Sequence, residues 1–353
     1  DPKREFSEKL KNKYIDQGFR VFGRAYSRYW MTSNSVVSFM NFEPSTESYE
    51  DWLPHLARPN GLFEKLTKQG YIINVFNNPT YKFCDKEAGY RLGRCISYRL
   101  DTLYDANNPT TILSGLLQRM KIRNRVNLII SKVLKSPMFP TPTIDNKKTL
   151  SVFNKHIDFL GEGKKGNAYF LHLNLPHEPL QLDENCSYRI TEPGFLEKEG
   201  ASPPAHKTYR NYMGQIKCTH KIVGGLLKKL DSNPAAQSGT IIIQSDHGSR
   251  ILPSGKSPTP GKLSSNLSGE DYTQLFSSFF AIRSPKHTPG YDRRPLALDE
   301  LLRTVTFDMK PLPTTGELKF VYFGHRPFHD QNPRDFKRYP LPPFSNGQPA
   351  SAW

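Results

Sequence analysis

Segments with apolar residues at helical spacing alternate along the chain with short runs of consecutive apolar or β-branched residues. Residues 6–20 read as a polar amphipathic helix ending near Gly18, and Phe19–Tyr26 (FRVFGRAY) as a short strand. Ser33–Met40 carries apolar residues at helical spacing after small polar ones, the pattern of a helix entered through a capped turn. Leu62–Gln69 reads as a helix stopped by Gly70, and Tyr71–Phe76 (YIINVF) as a buried strand. Thr111–Leu134 is a long helical stretch broken in the middle. Ala168–Leu175 (AYFLHLNL) is a strand ended by Pro176, and Tyr209–Leu230 has the most regular helical period in the chain. Gly239–Gln244 (GTIIIQ) is a β-branched central strand, Ser278–Ile282 another strand, and Leu296–Val305 a helix. This alternation of strands and helices predicts an α/β sandwich with a largely parallel central sheet. Residues 249–271, rich in Ser, Gly, Pro and Lys, read as a mobile loop. The Pro-rich residues 331–353 read as an extended tail over a domain spanning 1–330.

Composition narrows the class. The 353 residues allow one large or two ordinary domains at ~150 residues each. Only 36% are hydrophobic and there are 29 Pro and 24 Gly, yet 22 Phe and 17 Tyr supply core material and exclude wholesale disorder. No apolar run approaches the ~18 residues of a membrane span, and no secretory leader opens the chain. Lys+Arg number 49 against 33 Asp+Glu, a net charge of +16 scattered along the whole chain. With no zinc-finger spacing and no aromatic RNA-binding motif, nucleic acid is not the expected partner. A solvated basic surface remains, suited to work beside anionic lipid headgroups.

The four cysteines, Cys84, Cys95, Cys186 and Cys218, contain no CxxC pair, which argues against a structural zinc site. Cys84 and Cys95 flank ten polar residues. They are either a bridge, which would place the protein outside the reducing cytosol, or two free thiols. A partnership of Cys186 with Cys218, which lies on a predicted helix, is less expected.

In open α/β sheets ligands gather beyond the carboxyl ends of the strands, and three such ends carry chemistry. IIIQSDHG runs an apolar strand into Asp246, His247 and Gly248, so a carboxylate and an imidazole can reach one divalent cation; the alternative is a simple turn pair. HLNLPHEP holds His172, which reads as a core histidine inside its strand. It also holds His177, which follows Pro176 at the strand exit and either holds an anionic substrate oxygen or sits on a surface turn. SRYWMTSNS is a strand exit, a polar turn and a helix start, where Thr32 is either a metal-activated nucleophile or, with Ser33, an N-cap.

Taken together and in this order, the three strand ends resemble the alkaline phosphatase superfamily. The specific likeness is to its sulfatase-like hydrolase/transferase branch, with phosphoethanolamine transferases and lipoteichoic acid synthases. The resemblance spans about residues 10–310 and is carried by FGRAYSRYWMTSNSVVSFMNF, LFEKLTKQGYIINVF, the paired cysteines, FLHLNLPHEPL, YRNYMGQIKCTHKIVGGLLKKL and IIIQSDHGSR. It implies an alkaline-phosphatase-like three-layer sandwich in which Thr32 is the metal-bound nucleophile, Asp246 and His247 are metal ligands and His177 contacts the phosphate or sulfate. Arg250 is a further candidate for pairing with an anionic substrate. One or two divalent cations (zinc, manganese or calcium) and a phospho- or sulfo-ester substrate, lipid- or glycan-linked, are implied, with an extracytoplasmic, membrane-anchored setting. The family places a further acidic ligand at the end of a strand ahead of the nucleophile. No apolar strand ending in Asp or Glu precedes Thr32, so the chain is expected to start after it and to be inactive without it. Cys95-Ile96-Ser97-Tyr98-Arg99 loosely matches the C/S-x-P-x-R motif of aldehyde-forming sulfatases. Ser97 stands in place of Pro and the segment follows the wrong strand, so Cys95 reads as structural and Thr32 as the reacting group. The competing reading is a catalytically inactive basic extracytoplasmic domain that binds anionic glycans or lipids.

Overall fold

The computed structural model describes residues 2–44, 60–78, 83–84, 89–98, 146–177, 180–188, 205–249, 251, 267–311, 320–324 and 336–340. The helical stretch expected at 111–134 and Arg250 lie outside these residues. Helix α1 (Pro2–Asp16) turns Leu10 and Tyr14 inward and leads into β1 (Arg20–Phe22) and β2 (Ala25–Tyr26). The expected single strand over 19–26 is therefore two. Gly23 breaks it, because the Tyr291 ring lies where any side chain at that position would stand. Helix α2 (Thr32–Asn41) follows, then α3 (Gly61–Lys68), β3 (Ile72–Asn77) and β4 (Leu92–Ser97). Beyond them come α4 (Asn146–Leu160), β5 (Asn167–Leu171), α5 (Ala205–Asp231), the short α6 (Pro234–Gln237) and β6 (Ile241–Gln244). The described chain continues through α7 (Gly269–Phe276), β7 (Phe280–Arg283), β8 (Gly290–Asp292), β9 (Leu296–Ala297) and α8 (Leu298–Glu300). It closes with β10 (Phe320–Gly324) and β11 (Phe336–Pro340).

The fold is α/β, with parallel and antiparallel pairing mixed. Strands β4-β3-β5 form a wholly parallel sheet, and β1/β8 and β2/β9 are also parallel. In the sheet β6-β7-β1-β8, however, β7 runs antiparallel to both neighbours, which a reading based on strand–helix alternation did not anticipate. Other differences have local causes. The expected 168–175 strand leaves the ladder at Leu171. The segment expected to be one helix from Leu296 first pairs as β9, then turns helical and continues as a π-helix over Leu301–Thr306. The loop expected to reach 271 is cut short by a capping box in which Ser268 Oγ accepts from the Asp271 N–H at 3.2 Å and Asp271 Oδ2 accepts from the Ser268 N–H at 2.9 Å. Within the expected tail, residues 336–340 pair with 320–324.

Aromatic side chains fill the interior. Phe63 of α3 packs against Phe83, Tyr90 and Phe170 at ring separations of 5.4–5.7 Å, seating the helix on the parallel sheet. Phe76 packs against Tyr98 and Phe153, seating α4 on the same sheet. Both cysteine pairs are bridged: Cys84–Cys95 fastens a loop to β4, and Cys186–Cys218 fastens residues 180–188 to α5. The second bridge corrects the expectation from sequence. Leu182 N–H donates to Gln215 Oε1 at 3.1 Å, which brings the 180–188 segment onto the helix face that carries Cys218. No described helix is long and apolar enough to cross a membrane.

A third cluster joins α1, α5 and β7, where His220 Nδ1 shares a 2.8 Å hydrogen bond with the Tyr14 hydroxyl and its ring lies 5.7 Å from that of Phe279. Burial, with added repulsion from Lys13, pushes the His220 pKa down to about 3. The unfolded chain protonates this imidazole below about pH 6.5, whereas the folded chain keeps it neutral, so stability is lost as pH falls from about 6.5 towards 3. Asp292 titrates below most of that window. Burial alone would raise its pKa, but hydrogen bonds from Arg294 and Arg20 bring it down to about 2, so its contribution is lost only as pH falls from about 3.8 towards 2. Urea unfolding at neutral pH and at about pH 4.5 is expected to show a loss of stability in the wild type that is smaller by about 1–3 kcal/mol in His220→Phe. Equal losses in both proteins would contradict the assignment.

Candidate active site

Two strand exits meet. After β2 the chain passes through buried Ser27–Met31 and enters α2, whose N-cap is Met31, a residue with no side-chain oxygen to cap the helix. Thr32 is the first helical residue. Its hydroxyl does not cap the helix but lies 3.1 Å from Nε2 of His247. The sequence left open a capping role for Thr32 or Ser33, and the geometry closes it.

The other exit follows β6. Ser245 is stitched in both directions to Phe279, the residue before β7, its N–H donating to the Phe279 carbonyl and its Oγ accepting from the Phe279 N–H. Gly248 N–H donates to the Leu275 carbonyl at 3.0 Å, and a Cβ there would collide with the carbonyls of Gln274 and Ser277. Only glycine lets the chain press so closely against the end of α7, and this approach aims the two preceding side chains. His247 Nδ1 donates to the Gly248 carbonyl at 2.7 Å, which fixes the ring and turns Nε2 toward Thr32. Asp246 Oδ1 accepts from the His247 N–H at 3.0 Å, and Oδ2 stands 3.6 Å from Nε2. Burial would raise the Asp246 pKa, but the charges of His247 and His172 and a hydrogen bond from Thr32 outweigh it and hold the carboxyl below its ordinary value. The group remains an anion, as a metal ligand requires.

The two exits are tied together below these side chains. Ser35, one turn past Thr32 on α2, donates from its Oγ to the Asp246 carbonyl. Ser27 donates to Ser35 at 2.8 Å and accepts from the Tyr29 N–H at 3.1 Å, so the relay has one proton order. Beneath it Arg28 Nε bonds both carboxylate oxygens of Asp299 at 3.0 Å, with 2% and 1% of the two side chains exposed. This ion pair clamps the Ser27–Met31 turn to α8.

His172 was expected inside its strand as a core residue. The strand ends one residue earlier, so His172 stands at the exit, where it interacts electrostatically with Asp246 and His247. Burial first, then the charge of His247, lowers its pKa against the pull of Asp246. The adjacency to a strand end was the available sequence clue. His177 follows a cis Leu175–Pro176 bond, and its carbonyl is held by Gln215 Nε2 at 2.8 Å and Asn146 Nδ2 at 3.0 Å. Tyr98 braces the same exit by donating to the His172 carbonyl at 2.5 Å and accepting from the Asn174 N–H at 3.1 Å.

Carboxylate, imidazole Nε2 and hydroxyl suit a divalent cation in kind. Among the described residues no three His, Cys, Asp or Glu side chains gather as a metal site.

The sulfatase family profile matches residues 4–305, and the chain belongs to that family. No curated protein matches it. Among solved structures it is similar to the C-terminal periplasmic domain of EcEptC from Escherichia coli in complex with Zn, at 13% identity and TM-score 0.53, covering 100% of this chain and 89% of that one. It is also similar to the phosphonate monoester hydrolase SpPMH from Silicibacter pomeroyi, at 14% identity and TM-score 0.52, covering 92% and 76%. A protein of the alkaline phosphatase superfamily from Vibrio parahaemolyticus matches at 12% identity and TM-score 0.47, over 84% of this chain and 59% of that one.

The clamp and the relay differ in what their loss costs. Asp299→Ala leaves the Arg28 guanidinium buried without its counter-charge and is expected to cost about 3–5 kcal/mol. Ser35→Ala removes two hydrogen bonds, one given to the Asp246 carbonyl and one accepted from Ser27, and is expected to cost about 2 kcal/mol. Chemical denaturation of the two variants checks the order, and a near-neutral Asp299→Ala would contradict the clamp.

Proposed function

We propose that the protein cleaves or transfers phospho- or sulfo-esters through Thr32. The observation that carries this reading is the Thr32 hydroxyl 3.1 Å from Nε2 of His247, whose neighbour Asp246 stays ionised. Thr32 Oγ1 attacks the central phosphorus or sulfur in line. The bond from Oγ1 forms as the ester bond breaks, the hydroxyl proton passes to solvent water, and the leaving oxygen departs with the bonding pair. Water or an acceptor hydroxyl then attacks the modified Thr32 and restores it. Asp246, His247 and Thr32 would hold a divalent cation, zinc, manganese or calcium, which lowers the hydroxyl pKa and offsets charge on the transferring oxygens. Held behind the cis Leu175–Pro176 bond, His177 contacts the substrate oxyanion, and Arg250 is a further anion partner.

Cys95 is committed to a bridge with Cys84, which supports Thr32 over Cys95 as the reacting group. Two disulfides support an oxidising, extracytoplasmic setting, and the net charge of +16 supports work at an anionic lipid or glycan surface.

In the full-length protein, Thr32→Ala is expected to lower turnover of p-nitrophenyl phosphate, bis(p-nitrophenyl) phosphate or p-nitrophenyl sulfate by about 10³-fold or more, with an unchanged circular dichroism spectrum. Asp246→Asn is expected to lose bound metal as measured by elemental analysis. Full activity in Thr32→Ala would remove it as nucleophile. A wild type that holds no metal and cleaves none of the three esters would favour the inactive anion-binding domain.

A further inference from the structure

We infer that Tyr188, with Lys147 beside it, forms a sugar-stacking subsite at the strand-exit rim, so that the ester substrate is carried on an anionic glycan. The inference rests on the proposed reading of the site as an ester-cleaving centre and deepens it, assigning two residues which that reading does not use.

Three observations carry it, and the first is where the ring is shown. Tyr188 is 46% exposed, and among the described residues the other exposed large hydrophobic side chain is Tyr71. Tyr71 immediately precedes β3 and so lies at the entry ends of the parallel strands. Tyr188 lies at the opposite ends. It stands against Lys147, the second residue of α4, and the first residue of that helix, Asn146, holds the carbonyl of His177 beyond the exit of β5.

The second observation is how firmly the ring is held. Leu182 and Tyr188 pair across a tight turn in which Asp183 Oδ1 accepts from the N–H groups of Asn185 and Ser187 at 2.8 and 2.9 Å. The Cys186–Cys218 bridge and the Leu182–Gln215 hydrogen bond fasten this turn to α5, and Gln181 Oε1 accepts from the Asn146 N–H at 3.3 Å, fastening it to α4. Gln215 and Asn146 are also the two residues that grip the His177 carbonyl. One bracket therefore displays Tyr188 and places His177. A platform fixed in advance loses little conformational freedom when a ligand meets it.

The third observation is the chemistry of the pair. The Lys147 ammonium stands 5.2 Å from the centre of the Tyr188 ring. The electron-rich face that attracts this cation also attracts the weakly positive C–H groups on the flat side of a sugar. The phenol tip can bond sugar hydroxyls, and the ammonium can pair with a sulfate or phosphate on the same or the next sugar. An acyl chain would need a continuous apolar trough, whereas the two exposed large hydrophobic residues among those described lie at opposite ends of the strands.

A heparin-derived tetrasaccharide and poly(vinyl sulfate), a polyanion without a sugar ring, are titrated calorimetrically into the full-length metal-loaded protein. Tyr188→Ala is expected to weaken tetrasaccharide binding by about fivefold or more and to leave poly(vinyl sulfate) unchanged. Tyr188→Phe, which keeps the ring, is expected to stay within about twofold of the wild type. Unchanged tetrasaccharide affinity in Tyr188→Ala, or a wild type that does not bind the tetrasaccharide, would overturn the inference. Equal weakening of both polyanions would also overturn it, and so would a Tyr188→Phe variant as weak as Tyr188→Ala, since neither result needs stacking on the ring. Binding to vesicles of phosphatidylglycerol and phosphatidylethanolamine that falls in Tyr188→Ala while the tetrasaccharide is unaffected would replace the glycan with a lipid surface. The outcome is separable from the nucleophile assignment: Tyr188-dependent tetrasaccharide binding in a protein whose Thr32→Ala variant stays active keeps the subsite and discards the nucleophile. A dead Thr32→Ala alongside Tyr188-independent binding does the reverse.

Discussion

The structure depends on a close approach between the glycine after β6 and the end of α7. Gly248 sits where a methyl group would strike two backbone carbonyls, and its N–H and C=O are both used, one by Leu275 and the other by His247. That contact turns the chain abruptly after an apolar strand and delivers Asp246 and His247 side by side to the sheet rim. The Thr32 hydroxyl meets His247 at this turn.

The opposite half is held to it by hydrogen bonds and charge. Ser35 reaches the Asp246 carbonyl from α2, Ser27 continues the chain, and Arg28 locks the intervening turn onto Asp299. The apolar core alone could not set this register, because hydrophobic contact is non-directional and tolerates shifts that a hydroxyl at 3.1 Å from a ring nitrogen does not. The site therefore stands on directed interactions, with phenylalanine packing around Phe63 and Phe76 carrying the sheet and helices that support it.

Much of this was legible in the residues. The run of isoleucines ending in Ser-Asp-His-Gly located one exit, the polar turn before an apolar-periodic helix located the other, and the order of the three exits carried the family resemblance. What escaped had physical reasons. Strand β4 has mainly exposed residues at an outer position of its sheet, so it carries no apolar run to betray it. Helix α4 opens on Asn146, which is buried for its grip on the His177 carbonyl rather than for helix propensity. The Cys186–Cys218 bridge spans 32 residues and is set by tertiary packing, not spacing.

The account makes Thr32 a group that becomes covalently modified, and one measurement addresses this directly. The full-length protein, loaded with metal and mixed with bis(p-nitrophenyl) phosphate, p-nitrophenyl phosphate or p-nitrophenyl sulfate, is quenched in acid within the first turnover, digested and analysed by tandem mass spectrometry. The account predicts a phosphoryl, phosphoryl-ester or sulfuryl group on the Thr32 hydroxyl of the peptide containing Trp30–Met31–Thr32–Ser33. Turnover with that peptide unmodified, or with the group on another residue, would contradict it.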